Sequence, residues 1–294
     1  MSGAWQTQPL TPAFGVEVTG VDLNAVAAGA GFDQLRALFE AHSVLLFRGQ
    51  DFGDDAHLAL AARFGEIEDR LKDERKPGEA YKVPEVSNLR ADGAVSDEMD
   101  LQTLNLKANM LWHADSTFLP RPALTNILIG RIITSTGGAT ELASTRAGWA
   151  AMPAALKQRI EGRGVWHRYS HSRAQISPEL AKLPMFNKWP EQHWKAVWTN
   201  PVTGQEALYV ASHAYLIDGY SETESAALIK ELIGFCTQPE FTYAHAWEVG
   251  DVLIWDQRAV LHRATPWPYH EPRKLSSICV TVEDSDGLDQ MRVA

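Results

Sequence analysis

The chain has 294 residues, of which 45% are hydrophobic and 22% charged, a composition typical of a globular protein with a sizeable core. Its formal net charge is -10, and no lysine- and arginine-rich block alternates with aromatic residues, which argues against a nucleic-acid partner. The chain lacks an apolar run of membrane-spanning length, an N-terminal signal pattern and enough cysteines for a disulfide framework, so we expect no membrane partner and a cytoplasmic protein.

The N-terminal third alternates short strands with amphipathic helices. Residues 16–23 read as a strand, and the apolar spacing of Phe32–His42 predicts a helix that leads into a buried strand at 43–49. The same helical spacing recurs in Asp54–Phe64, with its apolar residues on one side. This alternation indicates helices that cover a sheet.

The middle of the chain is less regular. Residues 65–108 are rich in charge and turns and read as a solvated loop, whereas 125–134 read as a strand that ends at the turn S-T-G-G-A-T. A helical pair is predicted around 146–161, broken at Met152-Pro153. The aromatic and polar tract 165–200 fits no single element.

The last third is rich in short strands. Ser221 opens a clear helix with a capping box, S-E-T-E, and three apolar runs then read as strands. Residues 284–294 read as a loose terminus. Many short strands without a βαβ rhythm predict a mainly β protein with peripheral helices and a jelly-roll or barrel core, in one domain spanning 1–294.

The segment L-W-H-A-D-S-T-F holds a histidine and an aspartate two positions apart. Residues i and i+2 of a strand share one face, so His113 and Asp115 would project together toward one ion. A single His-x-Asp arises by chance about half the time in such a chain, so a third ligand from a distant segment is needed. The candidate is His262, which follows a predicted strand in D-V-L-I-W-D-Q-R-A-V-L-H-R-A.

Two histidines and a carboxylate form the facial triad of non-haem Fe(II) oxygenases, which leaves three coordination positions open. Zinc hydrolases use similar ligands, so these residues alone leave the metal undecided. Arg273 lies eleven positions after His262, where a guanidinium can hold the far carboxylate of a dicarboxylate cosubstrate. A zinc hydrolase has no need of that group.

Together, W-H-A-D-S-T-F, S-T-G-G-A-T, W-D-Q-R-A-V-L-H-R-A and Arg273 resemble the Fe(II)/2-oxoglutarate dioxygenases of the taurine dioxygenase (TauD/TfdA) family. The resemblance runs from about residue 15 to 282 and is greatest to the 2,4-dichlorophenoxyacetate and related aryloxyalkanoate dioxygenases. It also includes S-V-L-L-F-R-G-Q, A-A-R-F-G and F-T-Y-A-H-A-W-E-V-G-D. It implies a double-stranded β-helix, or jelly-roll, core.

The resemblance implies that His113, Asp115 and His262 ligate Fe(II), and that Arg273 and Thr140 hold the distal carboxylate of 2-oxoglutarate. The family usually has G-G-D-T where this chain has G-G-A-T, but the threonine is kept. The implied reaction uses O2, converts 2-oxoglutarate to succinate and CO2, and hydroxylates a small organic acid. An aryloxyacetate would then give a phenol and glyoxylate. Asp115 argues against the related halogenases, which lack that carboxylate. A homo-oligomer, dimer or trimer, is also expected from the family.

The resemblance is weakest where the family binds the anion of its substrate. A second arginine often follows the cosubstrate arginine, but this chain has Ser276 and Ser277, and T-N-P-V-T-G-Q places Asn200 and Gln205 where His and Arg are common. Candidate substrate residues are Arg70, Lys72 and Arg90 in the segment 66–108, which the family uses as a mobile lid, together with His213 and Trp112. A solvated charge run, a core histidine and a core aromatic are the simpler interpretations of these positions.

Three functions therefore fit the sequence. The first is an oxygenase of small organic acids, with aryloxyalkanoates as candidate substrates. The second is a biosynthetic hydroxylase or desaturase of the same family, which the missing second arginine favours. The third is a zinc hydrolase or cupin-like binding protein without redox chemistry.

Overall fold

The computed structural model describes residues 4–76 and 78–293. Its strands are β1 (Gln6–Pro9), β2 (Val16–Thr19), β3 (Val44–Phe47), β4 (Glu85–Ser87), β5 (Ala123–Ile132), β6 (Thr140–Ser144), β7 (Gly164–His167), β8 (Gln192–Lys195), β9 (Val197–Thr199), β10 (Glu206–Leu208), β11 (Ala214–Ile217), β12 (Thr242–His245), β13 (Val252–Asp256), β14 (Val260–Ala264) and β15 (Lys274–Thr281). Its α-helices are α1 (Leu23–Ala27), α2 (Phe32–His42), α3 (Asp54–Phe64), α4 (Leu101–Ala108), α5 (Thr145–Ala151), α6 (Ala154–Lys157), α7 (Tyr169–Ala174), α8 (Pro178–Ala181), α9 (Glu222–Cys236) and α10 (Leu288–Met291).

A seven-stranded sheet forms the centre, in the order β1-β2-β3-β13-β5-β15-β4. Its central pairs are antiparallel, and only β2 and β3 among the described strand pairs run parallel. The longest ladder joins β5 to β15. The run V-L-L-F of β3 is buried at every position, because both faces of this sheet are covered.

Alternate residues of the large sheet enter two different hydrophobic clusters. One face packs against α1, α2 and α3 through Leu45, Phe47, Ile127, Ile129, Val252, Ile254, Ile278 and Val280. The other face contributes Val44, Leu46, Leu128, Leu253, Trp255 and Leu275 to a cluster shared with Leu142 of β6 and Val260 of β14. The period of two therefore places helices on one side and a second sheet on the other.

That second sheet has three antiparallel strands in the order β12-β6-β14. Its register pairs His262 with Leu142 and Ala264 with Thr140. Directly opposite residues of antiparallel strands project to the same face, as do residues two apart on one strand. His262 and Thr140 therefore lie on one face of this sheet, on neighbouring strands and two residues apart in register.

The helices predicted at Phe32–His42 and Asp54–Phe64 have these bounds in the structure. Helix α9 begins after Ser221, whose side chain and that of Glu224 form the predicted capping box. The predicted pair around 146–161 is α5 and α6, which Pro153 separates. These predictions succeed because the signals for helices and their ends lie within a few residues of each other.

Three segments differ from the sequence prediction. The supposed loop at 65–108 contains β4 and α4, and the tract 165–200 holds β7, α7, α8, β8 and β9. The prediction of a loose terminus at 284–294 is wrong for the described residues, because Leu288 and Met291 of α10 are buried in the core. Ala294 lies outside the described residues. No helix of the described chain combines the length and apolar character needed to cross a bilayer.

A buried group of charged residues joins α2 to the end of β13 and the C-terminal segment. Arg258, only 1% exposed, donates to Asp256 at 2.8 Å and to Glu40 at 2.7 Å. Arg36 is paired with both Glu40 and Asp286, each at 2.7 Å. We call these five residues the Arg258 ion cluster; each buried charge in it has an opposite charge beside it.

Candidate metal centre and active site

His113, Asp115 and His262 meet at one point although 149 positions separate the first from the last. Their ligand atoms all lie within 4.8 Å of one another. One Asp115 oxygen is 3.7 Å from His113 Nε2 and the other is 3.7 Å from His262 Nε2, while the two imidazole centroids are 4.0 Å apart. The predicted convergence of a local His-x-Asp pair with a distant histidine is therefore present.

Backbone hydrogen bonds bring the two histidines together. His113 N–H donates to the carbonyl of His262 at 3.0 Å, and His262 N–H donates back at 2.8 Å. His113 and His262 therefore form an isolated antiparallel bridge outside the regular strand pairs. The chain turns directly afterwards, where Ser116 adopts a left-handed backbone with φ 60°. The Asp115 carboxylate, just before this turn, faces both imidazoles.

Both imidazoles are neutral near pH 7 and can offer a lone pair to a metal. Burial lowers the pKa of His113, and burial together with His113 lowers the pKa of His262 to about 3. His113 Nδ1 donates to the carbonyl of Leu111 at 2.7 Å, which leaves Nε2 unprotonated and facing Asp115. Among the described residues, His262 Nδ1 has no hydrogen-bond partner.

The Asp115 carboxylate is ionised and held in place by amides. Asn126 and Gln257 donate to the same oxygen at 3.0 and 2.5 Å, and Gln257 also accepts from the Asp115 N–H at 2.9 Å. Burial opposes ionisation, but the two histidines, Asn126 and Arg70 outweigh it and lower the pKa of Asp115 to about 2. Two neutral imidazoles and one carboxylate fit a divalent cation, iron or zinc, with coordination positions left open.

Arg273 and Thr140 lie on the side of the centre formed by β6 and the turn before it. Arg273 is 3% exposed, and burial lowers its pKa to about 10. Its Nη2 donates to the carbonyl of Gly138 at 2.9 Å, and its guanidinium lies 4.8 Å from the centroid of Trp267. No carboxylate lies within 4.0 Å of it among the described residues. A buried guanidinium without a counter-charge fits an anionic ligand.

The two glycines of S-T-G-G-A-T make this arrangement possible. Gly137 and Gly138 have φ +68° and +65°, the left-handed region that glycine favours. A Cβ at Gly137 would clash with the carbonyl of Pro266, and one at Gly138 would lie 3.0 Å from Arg273 Nε. Thr140 follows, with its hydroxyl accepting from Trp247 Nε1 at 3.0 Å and its own proton free to donate elsewhere.

A cavity of about 60 Å³ opens beside His113 and Asp115. It is lined by Arg70, Ala108, Asn109, His113, Asp115, Ser116, Phe118, Tyr169, Arg173, Ser212 and His213. Two of the predicted substrate residues, Arg70 and His213, are therefore at the cavity. Arg273 and Thr140 are not among the residues that line it.

The other three predicted substrate residues lie elsewhere. Lys72 is exposed in a short 3-10 helix, and Arg90 is paired with Asp100 on the surface. Trp112 packs beneath Arg263, whose guanidinium is 4.6 Å from the indole. In this structure none of the three lines the cavity, so their prediction as substrate contacts is not supported.

The departures from the family pattern also have structural explanations. Asn200 is buried and donates to Glu40 at 2.6 Å in the Arg258 ion cluster, and Gln205 is exposed in the following turn. Ser277 donates to Asn126 Oδ1 at 3.0 Å, so it supports the amide that holds Asp115. Ser276 instead accepts from Arg131 at 3.1 Å on the other face of β15.

Sequence reasoning missed Arg173, the second arginine of the cavity. It lies in the tract 165–200, four positions after Tyr169 on α7, and the i, i+4 spacing places both side chains on one face of that helix. The pattern Y-S-H-S-R could have suggested this pair, but only a predicted helix there would have given the spacing a meaning.

Comparisons with known proteins agree with this geometry. A family model described as "Taurine catabolism dioxygenase TauD, TfdA family" matches residues 6–279. The chain is 31% identical over 280 residues to a 2,4-dichlorophenoxyacetate dioxygenase of Cupriavidus pinatubonensis, covering 94% of this chain and 97% of the relative. It is 33% identical to an (S)-phenoxypropionate/alpha-ketoglutarate-dioxygenase of Sphingobium herbicidovorans, covering 93% of each chain. The crystal structure of AAD-2 with Mn(II) and N-oxalylglycine superposes with a TM-score of 0.85 at 30% identity, over 95% of this chain and 97% of AAD-2.

Proposed function

The chain belongs to the taurine catabolism dioxygenase TauD, TfdA family and is a 2-oxoglutarate-dependent oxygenase, and we propose that it hydroxylates a small organic acid, with an aryloxyalkanoate as the first candidate. The observation that carries this proposal is the convergence of His113, Asp115 and His262 on one point. The aryloxyalkanoate assignment draws on the named activities of the two relatives.

We assign the metal and cosubstrate contacts to five residues: His113, Asp115 and His262 would hold Fe(II), and Arg273 and Thr140 would hold the distal carboxylate of 2-oxoglutarate. Bound iron and 2-oxoglutarate supply the activation of O2, coupled to conversion of the cosubstrate to succinate and CO2. The uncompensated guanidinium of Arg273 favours this assignment over a zinc hydrolase, which needs no dicarboxylate.

The protein's own contribution is to position and shield these groups. Asn126 and Gln257 fix the Asp115 carboxylate, and the carbonyl of Leu111 fixes the tautomer of His113. Trp255 is fully buried, with its ring 4.7 Å from that of His262, and restricts water on that side. With an aryloxyacetate, hydroxylation beside the ether oxygen would give a hemiacetal that collapses to a phenol and glyoxylate.

The wider organisation belongs to the same proposal. The packing of the β12-β6-β14 sheet on the large sheet is consistent with a double-stranded β-helix, or jelly-roll, core. We also propose one domain over residues 1–294, with 66–108 as a mobile lid, since Arg70 of that segment lines the cavity. A cytoplasmic location and a dimeric or trimeric assembly stay predictions.

A biosynthetic hydroxylase or desaturase of the same family is the second candidate. It is favoured by the absence of a second arginine soon after Arg273, where this chain has Ser276 and Ser277, the latter engaged with Asn126. Screening aryloxyacetates, arylpropionates, sulfonates and amino acids for coupled succinate release separates the two candidates. Failure to turn over any aryloxy acid would favour the biosynthetic enzyme.

Anaerobic addition of Fe(II) and 2-oxoglutarate tests the reaction class directly. We expect a weak visible charge-transfer band in the wild type that disappears in His113→Ala, which lacks one ligand. His270→Ala, at an exposed histidine, is the matched control and should retain the band. A folded wild-type protein without the band would refute the oxygenase assignment.

A further inference from the structure

We propose that Arg173 binds the anionic group of the primary substrate, a carboxylate or the chemically similar sulfonate, in the cavity beside His113 and Asp115. This inference rests on the proposed function, because it assumes that the molecule in this cavity is the one oxidised at the metal centre.

Arg173 is a buried charge without a counter-charge. The residue is 7% exposed, and no carboxylate lies within 4.0 Å of its guanidinium in the described part of the chain. Nη1 donates to Ser172 Oγ at 3.0 Å and Nη2 to the Tyr169 hydroxyl at 3.1 Å, while Nε has no partner among the described residues. Burying a charge is costly unless it is paired, so an anionic ligand would complete this site.

The other arginine of the cavity is in a different electrostatic state. Arg70 forms an ion pair with Glu68, and its Nη2 donates to Ser116 Oγ at 2.9 Å. Its charge is therefore neutralised within the protein and its donors are partly used. Asp115, a predicted metal ligand, is the only acidic residue among those lining the cavity. Because Asp115 would be engaged with the metal ion, no other acidic residue of the lining is available to balance the charge of Arg173.

Aromatic rings hold the Arg173 guanidinium in one place. It lies 4.6 Å from the centroid of Tyr169 and 5.1 Å from that of Phe186. Tyr169 in turn stacks on Phe118, with centroids 3.8 Å apart and planes 5° from parallel. A guanidinium packed in this way is preorganised and loses little freedom when it binds an anion bidentately.

The volume and lining of the cavity limit which part of a ligand can reach Arg173. A volume of about 60 Å³ matches two water molecules or one carboxylate, but not an aryl ring. Phe118 and Tyr169 form an apolar wall next to this space, and buried, neutral His213 adds a polar edge. The substrate class that fits is a small amphiphile with one anionic group and an apolar body that extends along the aromatic wall.

The proposal is tested by comparing an acid with its uncharged analogue. Phenoxyacetate and phenoxyacetamide are titrated into the anaerobic Fe(II)/2-oxoglutarate complex, and binding is followed by the change in the charge-transfer band. Benzenesulfonate and benzenesulfonamide form a second acid and neutral pair. We expect the wild type to prefer at least one acid by roughly 30-fold, the range for a charge-assisted pair. Arg173→Met should reduce that preference to about twofold or less, and Arg173→Lys should retain part of it.

Arg168→Met is the matched control, because Arg168 precedes α7 but is half-exposed and paired with Glu191. It should preserve the preference. The proposal is overturned if Arg173→Met keeps the wild-type preference, or if the wild type binds each acid no better than its neutral analogue. A missing charge-transfer band in the wild type would instead refute the proposed function, so the two failures are distinguishable. The band in Arg173→Met also shows that this variant is folded.

Discussion

Buried arginines occur in two contrasting environments in this protein. In the Arg258 ion cluster, the guanidinium lies against Asp256 and Glu40, and every charge has a partner. Around the metal centre, Arg273 and Arg173 are nearly as buried, yet neither has a carboxylate within ion-pair distance among the described residues. A protein gains nothing in stability from an unpaired buried charge, so the contrast separates arginines that support the fold from arginines that await a ligand.

Removing Arg258 should give the largest effect on stability. Arg258→Met leaves Glu40 and Asp256 buried without their main counter-charge, and we expect the free energy of unfolding to fall by about 3–5 kcal/mol. Denaturant unfolding of the metal-free protein measures this change. If the free energy of unfolding of Arg258→Met lies within about 1 kcal/mol of the wild-type value, the Arg258 ion cluster does not stabilise the fold.

The same substitution at Arg273 should affect binding and not stability. Arg273→Met removes the proposed contact to the distal carboxylate of 2-oxoglutarate, and we expect a loss of about 2–4 kcal/mol, roughly 30- to 1000-fold in affinity. Titration of the charge-transfer band with 2-oxoglutarate measures it. Unfolding without cosubstrate should be unchanged or require more denaturant, because a costly buried charge is gone.

Arg263→Met provides the control for Arg273→Met. Arg263 is half-exposed on β14, is paired with Glu141, and projects to the face opposite His262. Its loss should leave the affinity for 2-oxoglutarate within about threefold of the wild type. Equal losses of 2-oxoglutarate affinity in Arg273→Met and Arg263→Met would show that any positive charge near this sheet contributes to cosubstrate binding.

Lowering the pH should remove the stability contributed by the metal centre and by the Arg258 ion cluster in two different pH ranges. In the metal-free protein His262 has a pKa of about 3, against 6.5 in the unfolded chain, so the unfolded state binds more protons below 6.5. Stability is then lost as the pH falls from 6.5 toward 3, by about 1.4 kcal/mol per pH unit for one such group. Burial raises the pKa of Glu40, but Arg258, Asn200 and Arg36 outweigh it and lower it below 4.5. The stability contributed by Glu40 is present above 4.5 and lost as the pH falls through its lower folded value.

Denaturant unfolding of the metal-free protein across this pH range checks the assignment. His262→Gln should reduce the slope between 6.5 and 4.5 by about 1.4 kcal/mol per pH unit, while other buried histidines such as His57 and His167 keep their share of it. Glu40→Gln should reduce the slope below 4.5. His270→Gln, at an exposed histidine, should leave both parts as in the wild type. If His262→Gln leaves the slope of the free energy of unfolding against pH unchanged, His262 is not buried in its neutral form.

The smallest effect is expected from the hydrogen bonds behind the metal centre. Ser277→Ala removes the donor to Asn126, which itself donates to Asp115, and we expect Fe(II) affinity to fall about tenfold. Ser276→Ala is the neighbouring control, since Ser276 contacts Arg131 instead. Competition with a metal chelator measures both variants. Equal Fe(II) affinities for Ser277→Ala and the wild type would show that Asn126 holds Asp115 without the serine.

The sequence was sufficient to predict a feature where its signals lie close together in the chain, or where several motifs follow one another in the order typical of a family. Phe32–His42, Asp54–Phe64 and the capping box at Ser221 were predicted from residues within one or two turns of each other. His113, Asp115 and His262 were predicted from motif order, and the structure brings them together. Three further candidates from the same reasoning, Lys72, Arg90 and Trp112, do not line the cavity in this structure, because motif order does not show which side chains of a segment reach one cavity.

By itself, then, the sequence determined the family, the reaction class and three groups that meet at one point. Only the tertiary structure decided which buried charges are paired, and so which arginines are free to bind an anion. The physical reason is that pairing joins residues far apart in the chain: Arg258 reaches Glu40 across 218 positions, whereas Arg173 is left without a carboxylate among the described residues. No periodicity or spacing within a segment records that difference.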